Sequence, residues 1–315
     1  MFRFLKGKKM IKLKLLIAAA GKDGPPVSGD RGIFAGGDDS QELDSIEYIT
    51  ITSLGNGSNF GDLTQGRSQF EGTSNGTNDR GIFFGGYQSH KEIDYITISS
   101  IGNATSFGTM GMFYRMYGAC SNNTNNRGVW GGSYNDLTTM EYVTITTPGN
   151  GTNFGDLTSG RDAVASTDNA TNERGVFAGG AGNINIIDYI TINSIGDAQD
   201  FGDLTTGKAW GGMCSNNTNE RGIYAGGQIG STAQDVIEYI TINSKGNATN
   251  FGDLTVARRY SISGVSNGTN ERGCFGGGLG GTDVIDYITI NSTGDANNFG
   301  DLLVDRYGHA SCSNA

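Results

Sequence analysis

The chain has 315 residues, with 53 glycines but only 3 prolines. The glycines follow no three-residue period, which excludes a collagen helix, and 15 Phe, 13 Tyr and 2 Trp exclude a disordered low-complexity chain. The net charge of −10 is split: Arg3, Lys6, Lys8, Lys9, Lys12, Lys14 and Lys22 stand in residues 1–22 without a carboxylate. The remaining 15 basic and 32 acidic residues leave a body of charge −17, which nucleic-acid phosphates repel.

In chain order, the first segment reads "MFRFLKGKKMIKLKLLIAAAGKDGPP". Its longest uncharged apolar run, Leu15–Ala20, is short for a secretory core and far too short to span a bilayer, although Ala18, Ala19 and Ala20 imitate a cleavage site. Ile11, Leu13 and Leu15 alternate with Lys12 and Lys14, the pattern of a strand that adds to a neighbour's sheet. Residues 1–28 are therefore expected to be a basic docking arm (1–22) and hinge (23–28), with Phe2, Phe4, Ile11, Leu13 and Leu15 as assembly contacts. Membrane-surface attachment by the same basic residues is the alternative.

From residue 29 onward the chain repeats itself six times. An Arg-Gly pair opens each copy, at Arg31, Arg80, Arg127, Arg174, Arg221 and Arg272, in phrases such as "NERGVFAGG". A Tyr-bearing run follows, "EYITI" or "DYITI" in most copies, and 12 residues after each Tyr stands a Phe-Gly pair. The Tyr run alternates with period two and is rich in β-formers; the Arg-Gly run is a short apolar strand stopped by glycines. Gly-Asn or Gly-Asp between the Tyr run and Phe-Gly is expected to turn a hairpin at positive φ, and Asn-rich pairs mark a second turn before Arg-Gly. No segment carries a helical period. Each copy is thus read as four short strands. The first copy lacks its leading strand, while the chain ends "DRYGHASCSNA", a leading strand with nothing after it. Such complementary ends fit a ring whose last strand completes the first blade and removes an open edge; a β-solenoid, the other reading, gives no reason for them.

The layout "ARRYSISGVSNGTNERGCFGGG…VIDYITINSTGDANNFGDL" resembles the kelch repeat of β-propellers, with Phe299 where that repeat usually has Trp. The resemblance covers residues 29–315 and implies an all-β, six-bladed propeller of four-stranded kelch-like blades closed by the C-terminal strand. The wording also looks like kelch-like proteins carried by tailed phages of marine bacteria. That resemblance implies a virion or extracellular location, other virion proteins as partners and an oligomeric assembly.

No P-loop, HExxH or dinucleotide fingerprint is present, and the two histidines, His90 and His309, have no partner motif beside them. No catalytic residue, cofactor or metal site is assigned. Cys120, Cys214 and Cys312, on alternate leading strands, read as small semi-buried residues in preference to a thiolate metal site. Carboxylates form rings: Glu47, Asp94, Glu141, Asp188, Glu238 and Asp286 before the tyrosines, and five aspartates after Phe-Gly. They are expected to form ion pairs or turn-capping bonds with the Arg-Gly arginines, one set per blade. A second basic series, Arg67, Arg161, Lys208, Arg258 and Arg306, with Arg115 displaced by one, either lines a channel mouth for an anionic ligand or seals blades through carbonyls. Loop length varies between Gly-Gly and Tyr, on one face of the ring, as in a binding surface. Tyr87, His90, Tyr114, Arg115, Tyr134, Trp210, Arg259 and Tyr260 are its candidate binding residues, and Met112 and Phe113 its candidate assembly patch. The function expected is a non-enzymatic virion module presenting that face to a protein or a host-surface glycan. A secreted or periplasmic carbohydrate-active enzyme and a purely structural virion protein are the alternatives.

Overall fold

The period-two pattern of the Tyr run, the glycine stops and the Asn turns cut each repeat into antiparallel strands of two to ten residues in a computed structural model of the chain. It describes residues 29–314 except 77–78, 113–114, 116, 123–125, 136, 170–172, 217–219, 269–270 and 280–282. The expectations for residues 1–28, with Phe2, Phe4, Ile11, Leu13 and Leu15, and for Phe113 and Tyr114, lie outside these residues.

Blade 1 holds β1 (Arg31–Ala35), β2 (Ser45–Thr50) and β3 (Ser58–Asp62). Blade 2 follows with β4 (Glu71–Ser74), β5 (Arg80–Gly86), β6 (His90–Thr97) and β7 (Thr105–Thr109). Blade 3 has β8 (Gly118–Ser121), β9 (Arg127–Gly131), β10 (Thr139–Thr144) and β11 (Thr152–Asp156). Blade 4 has β12 (Ala165–Asp168), β13 (Arg174–Ala178), β14 (Ile186–Thr191) and β15 (Gln199–Asp203). Blade 5 has β16 (Gly212–Ser215), β17 (Arg221–Ala225), β18 (Gln228–Ile229), β19 (Thr232–Thr241) and β20 (Thr249–Arg258). Here the length-variable loop folds back as a short hairpin, β18 against β19. Blade 6 has β21 (Ser263–Ser266), β22 (Arg272–Gly276), β23 (Val284–Thr289) and β24 (Asn297–Asp301). The last strand, β25 (Ala310–Ser313), pairs antiparallel with β1, Gly32 opposite Ser313 and Ala35 opposite Ala310. The six leading strands β4, β8, β12, β16, β21 and β25 neighbour one another in a closed circle. The protein is a six-bladed β-propeller.

The cores lie between blades. Ile33, Ile46 and Phe60 of blade 1 pack with Phe83, Ile96 and Ile98 of blade 2, and equivalent clusters recur around the ring. The sixth joins Val265, Cys274 and Phe299 of blade 6 to Phe34 and Ile49 of blade 1. In every blade a register shift of the fourth strand, as between Ile46 and Glu47 opposite Gly61 and Asn59, bulges the Phe of Phe-Gly inward. The bulge sets that Phe edge-on to the blade's Tyr at 6.1–6.3 Å.

Two glycines of the repeat are explained by neighbouring blades. A Cβ at Gly32, Gly81, Gly175 or Gly273 would lie under 3 Å from Val265, Cys312, Cys120 or Cys214 of the adjacent leading strand. The alternate cysteines are therefore packing residues, all buried and unbridged. A Cβ at the Phe-Gly glycine would strike the backbone of the next blade's hairpin, as Gly155 would strike Gly196. That hairpin differs from the expectation. Its corner is made by residues such as Thr50 and Ser53, whose N–H donates to the Thr50 carbonyl. The following Gly N–H is used across the blade boundary, Gly102 to the Phe60 carbonyl at 2.9 Å and Gly55 to that of Phe299 at 3.0 Å. Each outer strand thus has part of its open edge covered by the next blade.

The Arg-Gly arginines also act between blades, and not on carboxylates as expected. Arg31, Arg80, Arg127, Arg174, Arg221 and Arg272 each donate through Nη1 to an Ile carbonyl of the next blade at 2.7–3.0 Å. Each guanidinium lies 4.2–4.6 Å from its own blade's Tyr ring. Side chains at the end of one blade reach the adjacent blade before they reach a carboxylate of their own, and ring geometry decides the partner.

Candidate functional site

Antiparallel strands place the loops between second and third strands, and the connections from one blade to the next, at one end of the ring. The connections carry the second basic series. Arg67, Arg161, Lys208, Arg258 and Arg306 are 0–2 % exposed. Arg67 pairs with Asp94 at 2.6 Å, Arg161 with Asp188 at 2.8 Å, Lys208 with Glu238 at 3.1 Å and Arg258 with Asp286 at 2.6 Å. Arg306 meets Glu47, joining the C-terminal connection to blade 1. Thr64, Thr158, Thr205 and Thr255 donate to the same carboxylates. Burial pulls Lys208 below the ordinary lysine value, opposed by Glu238, and pushes Glu47 up, opposed by Arg306. These five cations are consumed inside the scaffold, which removes them from any ligand surface.

Two residues beyond each of these cations the backbone turns left-handed, at Gln69, Ala163, Trp210, Tyr260 and Gly308, with φ of 54–65°. Hydrogen bonds link the turns around the channel mouth: Trp210 N to Ala163 O, Gly308 N to Tyr260 O and Gln69 N to Gly308 O. This draws one aromatic group together. Trp210 and Tyr260 have ring centroids 4.8 Å apart, and Tyr260 meets Tyr307 edge-on at 6.3 Å. Trp210 packs with Ala163 and Ala209 and is 7 % exposed, so little of it faces solvent. Arg259 lies 5.5 Å from the Tyr260 ring, and its guanidinium is held by the Ser231 carbonyl.

Blade 3 departs from the rule. Glu141 takes its hydrogen bond from the Gly111 N–H at 3.0 Å, and among the described residues no basic side chain pairs with it. Burial pushes its carboxyl upward, with Lys91 opposing. Arg115 instead is half-buried, its Cζ 3.6 Å from the Tyr134 ring centroid and 5.1 Å from that of Tyr87. The two rings are 46 % and 40 % exposed, and Met112, on the same connection, is also exposed. A third group lies at the seam of blades 1 and 2. His90 Nε2 is 3.6 Å from Glu42 and its Nδ1 3.5 Å from Glu92, with Gln65 at 2.5 Å. The candidate binding residues therefore divide among three places: Tyr87, Arg115 and Tyr134; Trp210, Arg259 and Tyr260; and His90.

The axial channel encloses about 120 Å³. Its leading strands are stitched by hydroxyls, Ser166 Oγ to Ala119 O at 2.8 Å and Ser311 Oγ to Gly264 O at 3.0 Å. Two carboxylates in it escaped the sequence reading. Glu71 opens β4 where the other leading strands have Gly, Ala or Ser, and burial pushes its carboxyl to about 8. Asp168 stands where the other five strands have Ser, and accepts the Ser121 N–H at 3.0 Å. Both were visible as departures from an otherwise uniform column of the repeat. His309 is fully buried against Phe34 and held down to about 3 by burial and by Arg306 and Arg258. Among the described residues no three metal-ligating side chains converge, and no helix is long and apolar enough to cross a membrane. No protein-family model and no curated protein matches the chain.

Proposed function

We propose that this propeller is a non-catalytic binding module that presents its loop face to saccharide or protein, in the setting of a virus particle to which its basic N-terminal segment attaches it. One observation carries the binding reading. Five of the six cations that could serve a ligand are sealed in the scaffold, while Arg115 lies on Tyr87 and Tyr134, and Arg259 beside Tyr260, as two separate groups at the same end of the ring. A rigid ring with its aromatic and cationic groups at one end suits recognition. The kelch-like layout and its likeness in wording to phage proteins support the virion setting.

The channel supports a reading without catalysis. Its volume of about 120 Å³ is below the roughly 300 Å³ at which ligand pockets begin. Glu71 and Asp168 sit at the first and fourth positions of their strands, roughly 10 Å apart along the axis by strand rise. Asp168 is also held within the ring by the Ser121 N–H, a structural use of its carboxylate.

The full chain applied to an array of oligosaccharides and surface proteins tests the binding reading, with saturable retention expected. A variant lacking residues 1–22 should bind the array equally but no longer co-purify with particles. Equal incorporation of that variant overturns the attachment role.

A further inference from the structure

We infer that the surface where blades 2 and 3 meet, built on Arg115, Tyr134 and Tyr87, is a site for an acidic saccharide, one carrying a carboxylate or sulfate on a sugar ring. The inference rests on the binding reading above and names the ligand class of one place on that face.

The site arises from a slip of one residue. Arg67, Arg161, Lys208 and Arg306 stand four residues before the first residue of their leading strand. Arg115 stands three before Gly118. Arg115 is half-buried and meets no carboxylate among the described residues; it lies instead against Tyr134 and Tyr87 of two loops. Its backbone is fixed there: its N–H donates to Ser133 Oγ at 3.2 Å and its carbonyl accepts from Tyr134 N at 3.3 Å.

Its side chain is placed but not neutralised. At 3.6 Å the planar guanidinium lies on the face of Tyr134, with Tyr87 beside it. Among the described residues no carboxylate or carbonyl accepts from its nitrogens, in contrast to Arg259, which the Ser231 carbonyl engages. The N–H edge is left for an external acceptor, and a fork of donors held on a ring matches a carboxylate or sulfate. Lys91, whose Nζ donates to Gly111 O at 3.0 Å, adds a second positive charge on the neighbouring strand. Glu141, the carboxylate of the same blade, is buried and takes its hydrogen bond from Gly111 N–H. The exposed parts of the two tyrosine rings offer apolar faces to the C–H face of a pyranose, and the arginine edge takes the acid group. An anion settles here because a guanidinium on aromatic support has, among the described residues, no acceptor of the chain on its nitrogens.

The test is calorimetric titration of the full chain with two oligosaccharides of the same backbone, one carrying uronate or sulfate groups and one neutral. The acidic ligand should bind, weaken with added salt, and lose roughly 10- to 100-fold in affinity in Arg115→Ala, the contribution of a charge-assisted hydrogen bond. Arg115→Lys should fall between, Tyr134→Ala should lose binding, Tyr134→Phe should keep it, and Arg259→Ala should not change it. Arg115 and Tyr134 are surface residues, so melting temperatures should stay near that of the unaltered chain and show that folding is intact. If neutral saccharides bind and Arg115→Ala is silent, the loop-face reading stands and this inference falls. If no saccharide binds, both fall. If a polyglutamate peptide binds in an Arg115-dependent way and acidic sugars do not, the ligand class is wrong.

Discussion

Replacing Asp188 by alanine isolates the energetics of the buried ring. The Asp188 carboxylate accepts from Arg161 at 2.8 Å and from the Thr158 hydroxyl and N–H at 2.6 and 3.2 Å, with both charged side chains fully buried. Its removal leaves the Arg161 charge in the interior, supported only by the carbonyls of Ser159, Phe177 and Gly179. Stranding one member of such a pair costs about 3–5 kcal/mol. At about 2–4 °C per kcal/mol, as for domains of somewhat smaller size, the melting temperature should fall by roughly 6–20 °C. Glu141→Gln is the internal control. That carboxyl has no basic partner among the described residues, and Gln keeps an acceptor for Gly111 N–H, so the change should stay within about 1 kcal/mol. Calorimetry and urea midpoints should agree. If Asp188→Ala and Glu141→Gln shift stability equally, the ion pairs are not what holds the blade connections in place, and the reasoning fails.

Three further outcomes are expected. Gly155→Ala places a Cβ against the Gly196 backbone and should destabilise by about 1–3 kcal/mol, with faster amide exchange at the blade 3–4 boundary. His309 is neutral in the folded ring and held down to about 3, whereas the unfolded chain takes up its proton near 6.5. Its contribution is therefore present above pH 6.5 and lost as pH falls toward 3, up to about 5 kcal/mol, and His309→Gln should flatten stability over that window. Glu71 has the opposite sense: its carboxyl titrates near 8 in the fold and near 4.5 when unfolded. The fold loses stability as pH rises between those values, so Glu71→Gln should gain relative stability up to about pH 8 and none beyond.

Much of the architecture was legible because repetition is read directly. The spacing of Arg-Gly, Tyr and Phe-Gly set the blade count, and period-two alternation set the strands, since local propensity and turn chemistry depend on nearby residues. Partners were not legible in the same way. The carboxylates before the tyrosines and the Arg-Gly arginines occur together in every repeat, which suggested pairing. Four of the carboxylates instead meet cations 27–30 residues earlier, as Asp94 meets Arg67, Glu47 meets Arg306 from the far end of the chain, and the arginines reach carbonyls 65–69 residues away in blades 2–5. Of the candidate binding residues, Tyr87, Arg115 and Tyr134 come from two loops and one connection that only the blade 2–3 boundary brings together.

The sequence by itself determined that the chain makes six like sheets, because each repeat carries its own strands, turns and glycine stops. Tertiary structure decided which charges are spent and which are free. Closing the ring buries five cations beside carboxylates, where separation from water makes pairing obligatory. The arginine before β8 lies instead on two tyrosines, a contact that appears only when the adjacent blade supplies the surface on which it lies.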